Sequence, residues 1–173
     1  SCIMWATRQP RHSLTDSDSH SLLGTVPTQL GQMTSLVEVN IHSNRLTGTL
    51  PTEIGAMSNV QLFSVTNNDL TGTLPTSIGR MTMLQYLYVD VNMFTGALPT
   101  ELGQLTELQT LVVYDNQLNG TLPTELGYLT ATTFLSLSTN SLSGTMPTEL
   151  GLMTACQELW AHTSNFNGSI PTE

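Results

Sequence analysis

The side chains able to move protons, hold a metal or attack an electrophile are few in this chain and scattered. Its four histidines are His12, His20, His42 and His162, and its two cysteines, Cys2 and Cys156, stand near opposite ends. A metal site needs several such groups converging on one point, and the spacing gathers none. Glu53, Glu101, Glu125 and Glu149 recur in Pro-Thr-Glu segments. Carboxylates repeated on one solvated row are neither desolvated nor driven toward different roles, as an acid–base pair requires. The sequence holds no glycine-rich phosphate loop and no nucleophile elbow. We therefore read the chain as a non-enzyme that calls for no cofactor and no metal.

Composition narrows the choice further. With 173 residues, 39% of them hydrophobic, the chain can build one domain with a real core. Only 10% of residues are charged, the net charge is −9, lysine is absent, and the four arginines, Arg8, Arg11, Arg45 and Arg80, are dispersed. A nucleic-acid binder needs clustered cations to meet phosphates, so nucleic acid is excluded as a partner. No apolar run approaches the ~20 residues that cross a bilayer, and no signal-like segment opens the chain. An acidic surface of Thr, Ser, Asn and Gln suits a secreted or extracellular protein, including the ectodomain of a longer chain. The cysteines would lie about six coil spacings of ~4.8 Å apart in a stacked fold, too far to bridge.

The elements that position every side chain follow from a repeat. Gly24, Gly48, Gly72, Gly96, Gly120, Gly144 and Gly168 recur every 24 residues, and Pro27 to Pro171 follow each by three. The apolar residues of one coil, Leu50, Ile54, Met57, Val60, Phe63, Val65 and Leu70, cannot be buried by that coil alone, so stacked neighbours must bury them. Leu84, Leu87 and Val89, like Leu108, Leu111 and Val113, carry the alternation of a strand with one buried face. Asn44, Asn68, Asn92, Asn116 and Asn140 fall where the backbone turns inward with unpaired N–H and C=O groups, which an amide satisfies on both counts. Segments such as Thr100–Leu105 are too short for a stable α-helix and predict a 3₁₀ turn.

The stretch LQTLVVYDNQLNGTLPTELGYL, residues 108–129, resembles the plant-specific leucine-rich-repeat pattern LxxLxLxxNxLxGxIPxxLGxL. The resemblance runs over residues 24–173. It implies an α/β-type repeat solenoid, mostly β with 3₁₀ turns: a right-handed horseshoe or superhelix with a concave parallel sheet and a second small sheet. Similar arrays occur in receptor-kinase ectodomains and in secreted repeat proteins of plants, algae and protists. We expect residues 1–23 to be a cap-like or degenerate first coil, with Cys2 and Trp5 resembling the start of the family's cap. Residues 24–167 are six repeats, and 168–173 open a further, truncated one. Ser13–Ser21 reads as a degenerate coil or a mobile strip. The pattern is broken at Thr132 and Cys156, where an apolar residue is expected, and at Ser164, where the asparagine is expected.

Two faces are left free of packing. On the concave sheet, the residues alternating with buried ones should face solvent, which makes Tyr86, Tyr88, Tyr114, Phe134 and Trp160 an exposed aromatic strip beside Asp90 and Asp115. Such aromatics are favoured at interface hot spots, although cross-strand pairs also stabilise a sheet by themselves. The expected function is a non-catalytic module binding a protein, peptide or polysaccharide ligand. The alternative uses the second sheet, where Thr47, Thr49, Thr71, Thr73, Thr95, Thr121 and Thr145 flank the glycines in an array similar to the ice-binding face of antifreeze solenoids. A further row, Thr28 to Thr172, runs nearby, but threonine is common in strands for its β-propensity alone. Asn119-Gly120-Thr121 and Asn167-Gly168-Ser169 are glycosylation acceptor patterns on that same face, where glycans would spoil an ice-binding plane.

Overall fold

The computed structural model describes residues 12–15 and 22–168. Seven three-residue strands, Ser13–Thr15, Glu38–Asn40, Leu62–Ser64, Tyr86–Tyr88, Thr110–Val112, Phe134–Ser136 and Glu158–Trp160, form one parallel sheet in chain order. Seven more, Leu23–Thr25, Arg45–Gly48, Asp69–Gly72, Met93–Gly96, Gln117–Gly120, Ser141–Gly144 and Asn165–Phe166, form a second parallel sheet. Six 3₁₀ turns, from Thr28–Gln32 to Thr148–Leu152, complete the coils, each entered through a proline in extended conformation. Proline is suited to that position because the first N–H of a helical turn has no partner anyway. The repeat thus folds as an α/β-type solenoid with no long helix among the described residues.

The coil used as the example buries as expected: Leu50, Ile54, Met57, Val60, Phe63, Val65 and Leu70 all lie in one core running the length of the stack. Coils approach closely at the second glycine of each repeat. A Cβ at Gly103 would overlap the Glu125 carbonyl of the next coil, which is why no side chain is tolerated there. Backbone strain collects at one position per coil, just before the asparagine. Ser43, Asn67, Val91, Asp115, Thr139 and Thr163 all have φ between 52° and 55°, a region that β-branched Val91 and Thr139 adopt only under constraint.

The asparagines brace the turn beside that position, which keeps the same geometry at Thr163, where Ser164 follows. Asn68 Nδ2 donates to the carbonyls of Ile41, Val65 and Thr66, and its Oδ1 accepts the Leu46 N–H at 3.0 Å. Asn92, Asn116 and Asn140 repeat the arrangement, each joining its own turn to the preceding coil. A buried amide therefore takes up both donors and acceptors that an inward turn orphans.

The departures are accommodated differently. Thr132 is fully buried, and its hydroxyl donates to the Leu108 carbonyl at 2.6 Å, so the polar atom carries its own partner into the core. Cys156 is half-buried with its Sγ against the Glu158 carbonyl, and burial pushes its thiol up from the ordinary value, away from the reactive thiolate. Ser164 leaves the asparagine ladder broken, and its Oγ is buried without a partner. At the other end, Ser13–Thr15 forms a full strand paired with Glu38–Asn40, with Leu14 in the core, where the sequence carries only weak strand signal. Three residues recruited by a neighbouring edge need little propensity of their own. Cys2, Trp5, residues 16–21 and residues 169–173, with the cap and truncated-coil readings that rest on them, lie outside the described residues.

Asn68→Ala removes four hydrogen bonds at once and is expected to destabilise the protein by on the order of 3 kcal/mol or more in urea unfolding. Ser164→Asn, which restores the ladder, should raise stability by about 1 kcal/mol. A lower midpoint for Ser164→Asn than for the parent would show that the last turn does not follow the ladder geometry.

Candidate binding faces

From Glu38 onward, equivalent residues of the first sheet pair directly, 24 apart: Leu62 with Tyr86, Ser64 with Tyr88, Tyr88 with Val112 and Ser136 with Trp160. This register lays the outward side chains in straight rows perpendicular to the strands. Of the expected aromatic strip, Tyr114 (37%) and Trp160 (49%) are exposed, while Tyr86, Tyr88 and Phe134 are half-buried. Phe134 and Trp160 meet edge to face with centroids 5.2 Å apart and planes at 84°. Tyr86 Oη donates to Gln109 Oε1 at 3.0 Å.

The expectation that all these positions are solvent-facing needs correcting. Ser64, Asp90, Val112, Ser136 and Ser138 are buried although they point away from the core. Rows only ~4.8 Å apart let a large ring cover a small neighbour, and Ser64 and Val112 flank Tyr88 while Ser136 lies beside Trp160. Asp90 keeps 7% exposure and accepts the Thr66 hydroxyl at 2.8 Å. Burial raises its pKa above the ordinary value of 3.8, and the Asp115 carboxylate pushes the same way, against the lowering effects of Thr66 and its own backbone amide. Burial likewise raises Tyr88, with Thr110 opposing and Tyr86 and Asp90 adding.

The second sheet has a different register. Its strands pair 22 apart, so that straight across from Thr47, Thr71, Thr95, Asn119 and Ser143 stand Asp69, Met93, Gln117, Ser141 and Asn165. Thr47, Thr49, Thr73, Thr121 and Thr145 are exposed and Thr71 and Thr95 half-buried, but the expected rectangular grid of threonines is sheared by two residues at each coil. The carboxylate of Asp69 and the exposed thioether of Met93 fall into its rows. The asparagine Oδ1 joins residues with the same offset, Leu46 to Asn68, 22 apart, and the offset persists between Ser143 and Asn165, where Ser164 replaces the asparagine. Of the two acceptor asparagines on this face, Asn119 and Asn167 are both exposed, and Ser169 lies outside the described residues.

His42 and His162 occupy equivalent positions five coils apart and are not brought together, and Glu53, Glu101 and Glu125 lie one per coil along the 3₁₀ turns. Among the described residues no three His, Cys, Asp or Glu side chains converge as a metal site would require. No described helix is long and apolar enough to cross a membrane.

A coil repeated in register, with one face of unburied rings, defines a solenoid repeat protein. The leucine-rich-repeat family profile matches residues 35–57 and 107–129. Among solved structures, the ectodomain of the Arabidopsis thaliana receptor kinase GASSHO1/SCHENGEN3, in complex with CASPARIAN STRIP INTEGRITY FACTOR 2, is 36% identical with a TM-score of 0.86 over 87% of this chain. The Arabidopsis receptor kinase HAESA, in complex with the peptide hormone IDA and the co-receptor SERK1, is 29% identical with a TM-score of 0.88 over 92%. The Arabidopsis thaliana BIR3–SERK2 complex is 30% identical with a TM-score of 0.63, covering 72% of this chain and 65% of that one. The chain spans only 18% of the first and 27% of the second of these receptor chains. No curated protein sequence matches it. The chain is a leucine-rich-repeat protein of the plant-specific type, resembling receptor ectodomains.

A carboxyl group whose folded pKa is raised binds its proton more tightly in the native state, so it contributes stability below its unfolded value that is lost as pH climbs through the folded value. Asp90→Asn keeps the shape and the Thr66 hydrogen bond but removes the titration. Its thermal stability is expected to match the parent below pH 3.8 and to exceed it progressively above. Parallel pH profiles of Tm for the two proteins would refute this assignment.

Proposed function

We propose that this chain is a non-catalytic binding module that takes an extended protein or peptide segment against its first, concave sheet, and that it does so outside the cell. The observation that carries the reading is the exposed ring of Tyr114 on the outward rows of that sheet, which also carry Tyr86, Tyr88 and the Phe134–Trp160 ring pair. A ring already held in place buries much area at small entropic cost, which is the physical character of a hot spot. Support comes from the similarity to receptor ectodomains, one of them solved with a peptide hormone. Asn119 would be glycosylated in this setting: it is exposed, and beside Gly120 the preceding coil carries Ala97 where the other described coils carry threonine. A glycan there crowds the second sheet and leaves the first one open.

Replacing both Tyr114 and Trp160 with alanine is expected to weaken partner capture from the source organism's extracellular fraction at least about tenfold, with an unchanged circular dichroism spectrum. Charging the second sheet with Thr47→Lys and Thr71→Lys should leave capture intact. The opposite pattern would move the site to the second sheet. The sheared threonine rows lead us to expect no thermal hysteresis from the purified protein, and faceting of ice crystals would reverse the order of the two functions. Expressed in a eukaryotic secretory host, the protein should lose mass on treatment with an N-glycosidase, and Asn119→Gln should lose the corresponding glycan. An intact mass equal to the bare polypeptide would dismiss the acceptor.

A further inference from the structure

The face formed by the 3₁₀ turns is interrupted at one place by two small residues. The second residue of the turn is glutamine or glutamate in every coil except at Ser77, and the fifth is large in every coil except at Ala56. These two exceptions fall on adjacent turns, so the face is notched there. The notch is a cavity of about 600 Å³, and a second of about 350 Å³ adjoins it, sharing Thr52 and Thr76. Sites for small ligands have volumes of this order.

The walls of the notch combine donors with acceptors. Glu53 and Glu101 stand on the turns either side of the one that bears Arg80, and Gln104 adds an amide. Each carboxylate accepts the hydroxyl of the threonine before it, Thr52 or Thr100, at 3.3 Å, so it is oriented before a ligand arrives. Ser77 Oγ donates to the Thr52 carbonyl at 2.6 Å, which leaves its lone pairs as acceptors. In the adjoining cavity Leu50, Leu74 and Pro75 supply apolar surface beside the hydroxyls of Thr49 and Thr73.

Charge selects the ligand. An anion drawn to Arg80 meets a carboxylate on each neighbouring turn, and a cation drawn to those carboxylates meets Arg80 between them. A neutral molecule rich in hydroxyl groups suffers neither repulsion. Its hydroxyls both donate and accept, as a guanidinium, two carboxylates, an amide and several hydroxyls require. The C–H surface of a sugar ring in turn matches the apolar strip of Leu50, Leu74 and Pro75. We propose that the notch on the turns Thr52–Ala56, Thr76–Arg80 and Thr100–Gln104 is a binding site for a neutral saccharide. None of its lining residues belongs to the first sheet, so the site stands or falls separately from the reading given for that face.

The test is an array of neutral, uronic-acid and amino-sugar oligosaccharides probed with the whole protein, followed by calorimetric titration of the neutral glycan that binds. Binding confined to neutral glycans is expected. Ala56→Gln combined with Ser77→Gln fills the notch with the side chains that Gln104 and Gln29 place at the same positions of other turns, so the variant keeps the fold, as its Tm will check. Its apparent affinity should fall about tenfold or more, and Arg80→Met, which keeps the stem and removes the donors, should lose a similar factor. The double alanine variant of Tyr114 and Trp160 should bind as the parent does. No neutral glycan bound, a preference for charged glycans, full binding by the filled notch, or loss of binding with Tyr114 and Trp160 would each overturn the site.

Discussion

Every feature of this molecule depends on how an inward-turning backbone disposes of its polar groups. A coil that turns into its own core exposes N–H and C=O groups to an apolar interior, and leaving them unpaired would cost about 1–3 kcal/mol for each group. One asparagine per coil resolves this by acting on two coils at once: Asn68 donates to Ile41 of the preceding coil and to Val65 and Thr66 of its own, and accepts from Leu46. The residue before each of these amides, Asn67 or Val91 for example, takes left-handed geometry. Stacking is therefore a hydrogen-bonded requirement as much as a hydrophobic one.

The two faces differ in register on either side of the asparagine position. Upstream of it the coils run in direct register, Ser64 against Tyr88; downstream they are offset by two residues, Thr47 against Asp69. A single repeating sequence thus yields one sheet with straight rows and another with slanted ones. On the straight sheet, large and small side chains alternate across neighbouring strands, so rings at Tyr88 and Trp160 are supported by Ser64, Val112 and Ser136. Side chains held in this way present shape and charge without having to be ordered on contact, which suits recognition.

Nearly all of the architecture was legible in the sequence, because the 24-residue period assigns each residue one address in its coil. The strands, the 3₁₀ turns after each proline, the burial of Leu50 to Leu70 and the asparagine ladder all follow from local pattern plus the rule that buried polar groups must be paired. The added strand at Ser13–Thr15 was hardly visible, since it forms by pairing with Glu38–Asn40 and not by its own propensity.

Tertiary structure alone decided what the two faces look like. Period tells which way a side chain points, but its exposure depends on what the next coil places 4.8 Å away: Asp90 and Ser138 point outward and are buried all the same. The offset of the second sheet was likewise hidden, because the period alone does not say which residues of neighbouring coils stand opposite one another. Inside and outside belong to the sequence of a single coil, whereas contact across coils is a property of the stack.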